Sequence, residues 1–171
     1  MESFWEEISG ASLRQGDYLL NCPIPLLDEQ PDTSGQQSLP VGSCDLIIVT
    51  QSCDLEAQKV RLAAACPIYP IVEYEKINQA LAKKGRWEEV RKGRVESLHL
   101  LSSPINPADN REALVVDFRE VYSLPLEFLA KHAEAQRQRW RLRSPYLEHF
   151  SQAFARFFMR VGLPSSIPPY K

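Results

Sequence analysis

Asp45-Leu46-Ile47-Ile48-Val49-Thr50 runs into the polar Gln51-Ser52-Cys53-Asp54, and then into Lys59-Val60-Arg61-Leu62-Ala63-Ala64-Ala65-Cys66-Pro67. The first six residues are a continuous, largely β-branched apolar run. A strand with one wet face would alternate; an unbroken run predicts a strand buried on both faces. The polar turn at 54–58 predicts a hairpin into a second strand over 59–67, although its alanines would favour helix in isolation.

Working outward, Gly16 to Cys22 predicts a turn and a short strand that Pro23 and Pro25 terminate. Residues 28–43 are polar and rich in turn formers, the composition of a long surface loop. From Val72 to Lys84 the period becomes helical, with Ile77 and Leu81 four apart and Gly85 as a stop. Residues 86–93 predict a short helix or loop, Val95–Leu101 a strand, and Ser102–Asn110 a loop. Ala113–Tyr122 predicts one further strand, and Ser123-Leu124-Pro125 opens a helix. Ser144-Pro145 opens the clearest helix, with Ser144 as cap and Pro145 in the first helical position, ending at Gly162 and Pro164. Leu147, Phe150, Phe154, Phe157 and Val161 form its apolar stripe, widened by Tyr146, Ala153 and Phe158. Strands first and helices packed over them predict a small α+β single domain across 1–171, on a partly closed antiparallel sheet or barrel.

A hydrophobic share of 44% with 25% charged residues excludes a disordered chain, a collagen and a coiled coil. No apolar run approaches the roughly 20 residues that cross a bilayer. The acidic start, Met1 to Glu7, is unlike a signal or transit peptide. The expectation is a cytoplasmic protein with no membrane partner, whose Cys22, Cys44, Cys53 and Cys66 are reduced and pack as small hydrophobes. No motif implies a metal or another cofactor.

The net charge of −2 hides an asymmetry. Residues 1–33 carry seven acids and one base, whereas 131–160 carry seven bases and two acids. Within the basic block Arg137, Arg139, Arg141 and Arg143 alternate with Gln138, Trp140 and Leu142. On an extended segment this alternation puts the guanidiniums on one side. There they can bind phosphates, with Trp140 stacking on a base, or meet an acidic partner or the chain's own acidic N-terminus. A solvated face is the plainer reading.

Gln51, Ser52, Cys53 and Asp54 are the densest polar string beside the buried strand. Ser52 or Cys53 could act as nucleophile with His99 as base, but Asp54 would oppose thiolate formation. The competing reading is a turn in which Ser52 and Asp54 bond the backbone and Cys53 packs inward. Asp45, Asp54, Asp117 and Glu120 show no spacing that demands a metal, and Asp117 and Arg119, on one face of a strand, are placed to pair.

The element order Gly16-Asp17, the strand Leu46 to Ser52, the strand Leu62 to Ile68, Leu98-His99-Leu100-Leu101, Ala113 to Val121 and a Leu-Pro helix start resembles the MazF/PemK-like toxins. These are small SH3-like barrels whose catalytic members cut single-stranded RNA. The resemblance covers residues 14–130, with a helical insertion at 72–92. A basic linker and amphipathic C-terminal helix, 131–171, lie outside it. The whole chain also resembles uncharacterised bacterial proteins that share Gln51-Ser52-Cys53-Asp54-Leu55 and a Ser151-to-Phe158-type helix. The toxins carry an arginine before the second strand and a serine or threonine near the next. Here Val41-Gly42-Ser43-Cys44-Asp45 holds no arginine, and Asp45 would repel a phosphodiester. The resemblance therefore implies a noncatalytic binding or regulatory module on a MazF/PemK-like barrel, an accessory protein of a bacterial defence or stress system. Its expected binding residues are Gln51, Ser52, Cys53, Asp54, Arg137, Arg139, Trp140, Arg141 and Arg143. One alternative is an endoribonuclease with a rearranged site of Ser52, Arg61 and Arg14. The other is an adaptor whose 137–143 segment docks an acidic protein. A protein partner is the leading expectation, with RNA and a homodimer as the other two.

Overall fold

Leu46, Ile47 and Ile48 have no exposed surface, and Val49 has almost none. The run is buried on both faces because the sheet it belongs to is covered on both. The computed structural model describes residues 3–26 and 40–159. Its strands are β1 (Trp5–Ile8), β2 (Asp17–Pro25), β3 (Val41–Ile48), β4 (Leu62–Pro70), β5 (Leu98–Leu101), β6 (Leu114–Asp117), β7 (Tyr122–Pro125) and β8 (Arg139–Leu142). Its α-helices are α1 (Ser52–Glu56), α2 (Ile71–Ile77), α3 (Arg86–Arg91), α4 (Leu126–Ala135) and α5 (Tyr146–Phe158). The chain is α+β, with one open antiparallel sheet in the order β1-β8-β2-β3-β4-β6-β5, and β7 also paired with β4.

Alternate residues of β3 serve alternate cores. Ile47 joins Trp5, Tyr18, Ile68, Val116, Phe118 and Leu142 beneath α5, whose Phe150 is fully buried. Leu46 and Ile48 join Leu13, Leu19, Ala63, Ala65 and Leu124 beneath α4 and α1. A third cluster lies under α2 and α3, where Tyr74 and Val90 meet Leu98 and Val115.

Several elements depart from the sequence expectations. Pro23 and Pro25 lie inside β2, because that end of the strand has only β3 beside it and a missing N–H on the free edge loses no ladder bond. Residues 41–43 of the expected loop belong to β3, and 28–39 lie outside the described residues. The hairpin turn contains α1, and β4 starts at Leu62 and ends at Pro70. The helical period at 72–84 resolves into α2 and a short 3-10 turn, Gln79–Ala82. The expected single strand at 113–122 is two. Ala65 lies opposite Tyr122 and Ile68 opposite Val116, so two residues of β4, Cys66 and Pro67, face five of the partner chain. The excess bulges out, which drops Phe118 into the core. Pro145 occupies the N-cap of α5, and Ser144 makes no capping bond. Phe158, expected to widen the stripe, is half exposed; Val161, Gly162 and Pro164 lie outside the described residues.

The largest departure is the basic linker. Residues 139–142 form β8, which inserts between β1 and β2 with Ile8 opposite Arg139 and Asp17 opposite Arg141. Trp140 and Leu142 face the α5 core, so Arg139 and Arg141 face the other side. There the connection from β1 to β2 crosses over them, with Leu13 packed into the α4 core. Asp17, fully buried, takes hydrogen bonds at Oδ1 from Arg141 Nε and at Oδ2 from Arg141 Nη2 (2.9 Å), Arg139 Nη2 (3.3 Å) and the Arg14 N–H (3.2 Å). Arg139 also donates to the carbonyls of Gly10 and Ser12.

Gly16 ends this crossover at φ +84°, and a Cβ there would lie 2.9 Å from Leu147 Cδ1 and 3.0 Å from Leu142 Cβ. Both the left-handed backbone and the close approach of α5 require glycine.

Removing one partner of a buried pair leaves the other charge uncompensated, which costs about 3–5 kcal/mol. Arg139→Ala is expected to lose that much stability in urea unfolding, while Arg143→Ala, at an exposed position, stays within about 0.5 kcal/mol of the parent.

Candidate functional site

The four arginines of 137–143 do not act as one surface. Arg139 and Arg141 are committed to Asp17, and only Arg137 and Arg143 are exposed. The basic segment has met the chain's own acidic N-terminal region, and Gln138 adds a hydrogen bond to Glu7. Trp140 packs against the α5 core rather than standing ready to stack on a base.

The Gln51–Asp54 string starts α1. Ser52 Oγ accepts the Gln15 N–H at 3.1 Å, and Gln15 Nε2 donates to the Val49 carbonyl at 3.0 Å, so Ser52 anchors the crossover connection to the end of β3. Cys53 is exposed, contrary to the inward packing expected of it, because the helical turn sends Leu55 inward instead. Its Sγ lies 3.7 Å from Gln51 Oε1 and 3.8 Å from Asp54 Oδ1. Cys22 and Cys66 are buried, and burial pushes their thiols up to about 11 and about 12. His99 is not the base for this corner. It lies on β5, beside β6 and the C-terminal end of β4, whereas Ser52 and Cys53 precede the N-terminal end of β4.

The two other candidates are linked through Glu56, at the far end of the helix that Ser52 begins. Arg14 pairs with Glu56 of α1 at 2.5 Å. Glu56 and Arg61 line one groove of about 770 Å³, bounded by the crossover at 11–13, α1, residues 58–62 and the start of α4. Leu13, Leu55, Val60 and Leu126 supply an apolar lining, and Leu62 is half exposed at its edge. Charges stand around it: Glu56 and Arg61 on one side, Glu127 on the other.

The acids weighed as a metal set are dispersed into separate tasks. Asp45 accepts the Tyr18 hydroxyl and the Asn21 N–H, both at 2.7 Å. Asp117 accepts the Tyr74 hydroxyl (2.5 Å) and the Arg119 Nη2 (2.6 Å), Nε (2.9 Å) and N–H (3.0 Å). Burial works against its charge, but these donors outweigh it and hold the carboxyl below its ordinary range. Among the described residues no group of three histidine, cysteine or carboxylate side chains converges as a metal site.

A second cleft, unmarked in the sequence, lies at the β5 edge of the sheet. Its volume is about 330 Å³, and α3, β5 and α5 line it with His99, His149, Gln152 and Arg156 among others. Only the fold brings His99 and His149 together; fifty residues apart, they form no sequence motif. Among the described residues no helix is long and apolar enough to cross a membrane. Scans against protein-family models and against curated proteins find no match for this chain.

Burial, and then the nearby His149, push the His99 imidazole down to about 4 from an ordinary value near 6.5. The unfolded chain binds this proton at higher pH than the folded one. The stabilisation is therefore complete above pH 6.5 and is lost as the pH falls towards 4. The difference corresponds to roughly 3 kcal/mol. Urea unfolding at pH 7 and pH 4 is expected to show a loss for the parent that exceeds the loss for His99→Gln by up to this amount.

Proposed function

We propose that the protein is a noncatalytic binding module on a MazF/PemK-like core and that the groove between the crossover, α1 and α4 receives a segment of a protein partner. The observation that carries this reading is the groove itself. It has an apolar lining, charged rims and a half-exposed Leu62, the composition of a surface that buries a hydrophobic anchor inside a polar margin. Its walls are tied down. Arg139 grips the carbonyls of Gly10 and Ser12, and Ser52 holds the Gln15 N–H, so one wall is held before a partner arrives. The place in a bacterial defence or stress system rests on the resemblance to the toxin family. The open antiparallel sheet supports the reading at the level of α+β class, and the SH3-like barrel is part of the proposal.

The endoribonuclease reading has one observation in its favour: Ser52 begins α1, whose Glu56 pairs with Arg14 and shares a groove with Arg61. Against it, Arg14 faces Glu56, and Ser52 Oγ accepts a backbone N–H. The acidic-partner adaptor would retain only Arg137 and Arg143 of its four arginines.

Affinity capture from a bacterial lysate, followed by titration of the purified partner, separates the three. Leu62→Asp is expected to weaken binding at least tenfold, Arg61→Glu to weaken it less, and paired reversal of Arg137 and Arg143 to leave it unchanged. Loss of binding in the paired reversal alone would move the site to the basic segment. Cleavage of a labelled single-stranded RNA that disappears in both Ser52→Ala and Arg61→Ala would establish the ribonuclease instead.

A further inference from the structure

We propose that the cleft between α5 and the α3–β5 edge binds a phosphate group, carried on a small organic monoester or free in solution. The site is at the β5 edge of the sheet, shares no lining residue with the groove and does not depend on that groove's role.

The cleft's volume of about 330 Å³ is at the small end of ligand pockets. One wall is a helix face: His149, Gln152, Ala153 and Arg156 recur at i, i+3, i+4 and i+7, so their side chains line up along the opening. The other wall is the end of α3, with Arg91, Lys92 and Gly93. Between them His99 lies half-buried against Phe118 (ring centroids 6.1 Å) and Phe150 (5.7 Å).

The lining therefore offers two imidazoles, an amide, two guanidiniums and an ammonium, against one carboxylate, Glu96. Glu88 is not part of the lining, but it bonds Arg91 at 2.7 Å and Lys92 at 3.3 Å. That contact fixes where those two side chains sit and still leaves the cleft net positive. Arg156 is exposed on the α5 wall. His149 is close enough that its charge works, after burial, against protonation of His99. An anion between them would relieve that repulsion, and both rings would then donate to it. A phosphate monoester carries about −1.5 to −2 charges and three acceptor oxygens, which suits donors converging from two walls and a floor. A carboxylate, with one charge and two oxygens, leaves more of these donors unmet.

The test is titration of the full chain at pH 7 with inorganic phosphate and, separately, with ribose 5-phosphate, following the imidazole C2–H signals of His99 and His149 by NMR. Single His→Gln variants assign the two signals. Saturable shifts of both are expected. Arg156→Gln is expected to weaken the apparent Kd at least tenfold, and Lys92→Gln to weaken it measurably. Arg143→Gln, away from the cleft lining, should leave it unchanged. Equal affinity for the two probes would assign the site to free phosphate, and tighter ribose 5-phosphate binding to an organic ester. Absence of a saturable shift at both histidines, or wild-type affinity in a folded Arg156→Gln variant, would overturn the proposal.

Discussion

Asp17 is the point on which the architecture turns. A carboxylate with no exposed surface is tenable only if its charge is matched and its oxygens are bonded. Arg139 and Arg141 supply the charge, and they reach Asp17 only when residues 139–142 lie as a strand between β1 and β2. The same guanidinium of Arg139 collects the carbonyls of Gly10 and Ser12, so the connection that crosses β8 is held by the strand it covers. One cluster thereby joins the first strand, the crossover and the C-terminal third. The saturation is incomplete: Arg139 Nε is buried without a partner among the described residues. The cluster thus serves to set which strands are neighbours, rather than to add maximal stability.

The two irregular places in the sheet follow the same rule that buried polar groups find partners. In β2, Leu19 pairs with Leu46 and Cys22 with Cys44, which leaves one residue extra, and Asn21 sits at φ +46°. Asp45 takes the Asn21 N–H, while Gln136 of the loop after α4 bonds the Leu20 N–H and carbonyl. The bulge is thereby bound to the helix that covers that face. Between β6 and β7 the bulge opposite Pro67 frees Asp117 and Arg119 to bond each other and Tyr74. Asp45, which would repel a phosphodiester if it faced one, is instead the acceptor that makes the first bulge tolerable.

Two separate recesses result. The crossover, α1 and α4 enclose a groove with an apolar lining on one face, and α5 and α3 enclose a smaller cationic cleft at the β5 edge. The basic residues that stand out in the sequence, Arg139 and Arg141, belong to neither. The cleft draws on basic residues from two distant segments, Arg91 and Lys92 with His149 and Arg156.

Where the fold was legible, it was so through local chemistry. The unbroken apolar run at 46–49 implied burial on both faces because no alternation was left for solvent. The 147/150/154/157 stripe implied a helix over a core, whereas the alternating arginines of 137–143 left an extended segment and a solvated linker both open. Asp117 and Arg119 were expected to pair across one face of a strand; they do pair, but at the bulge that follows β6, with Arg119 outside the strand. What only the tertiary structure decided was partnership across distance. Asp17 and Arg141 are separated by 124 residues, His99 and His149 by fifty, and Glu56 and Arg61 share a groove with Leu126. Charge and hydrophobicity along a chain report what each residue needs. Which neighbour meets that need depends on strand order, and here strand order is set by a buried ion pair that no local pattern encodes.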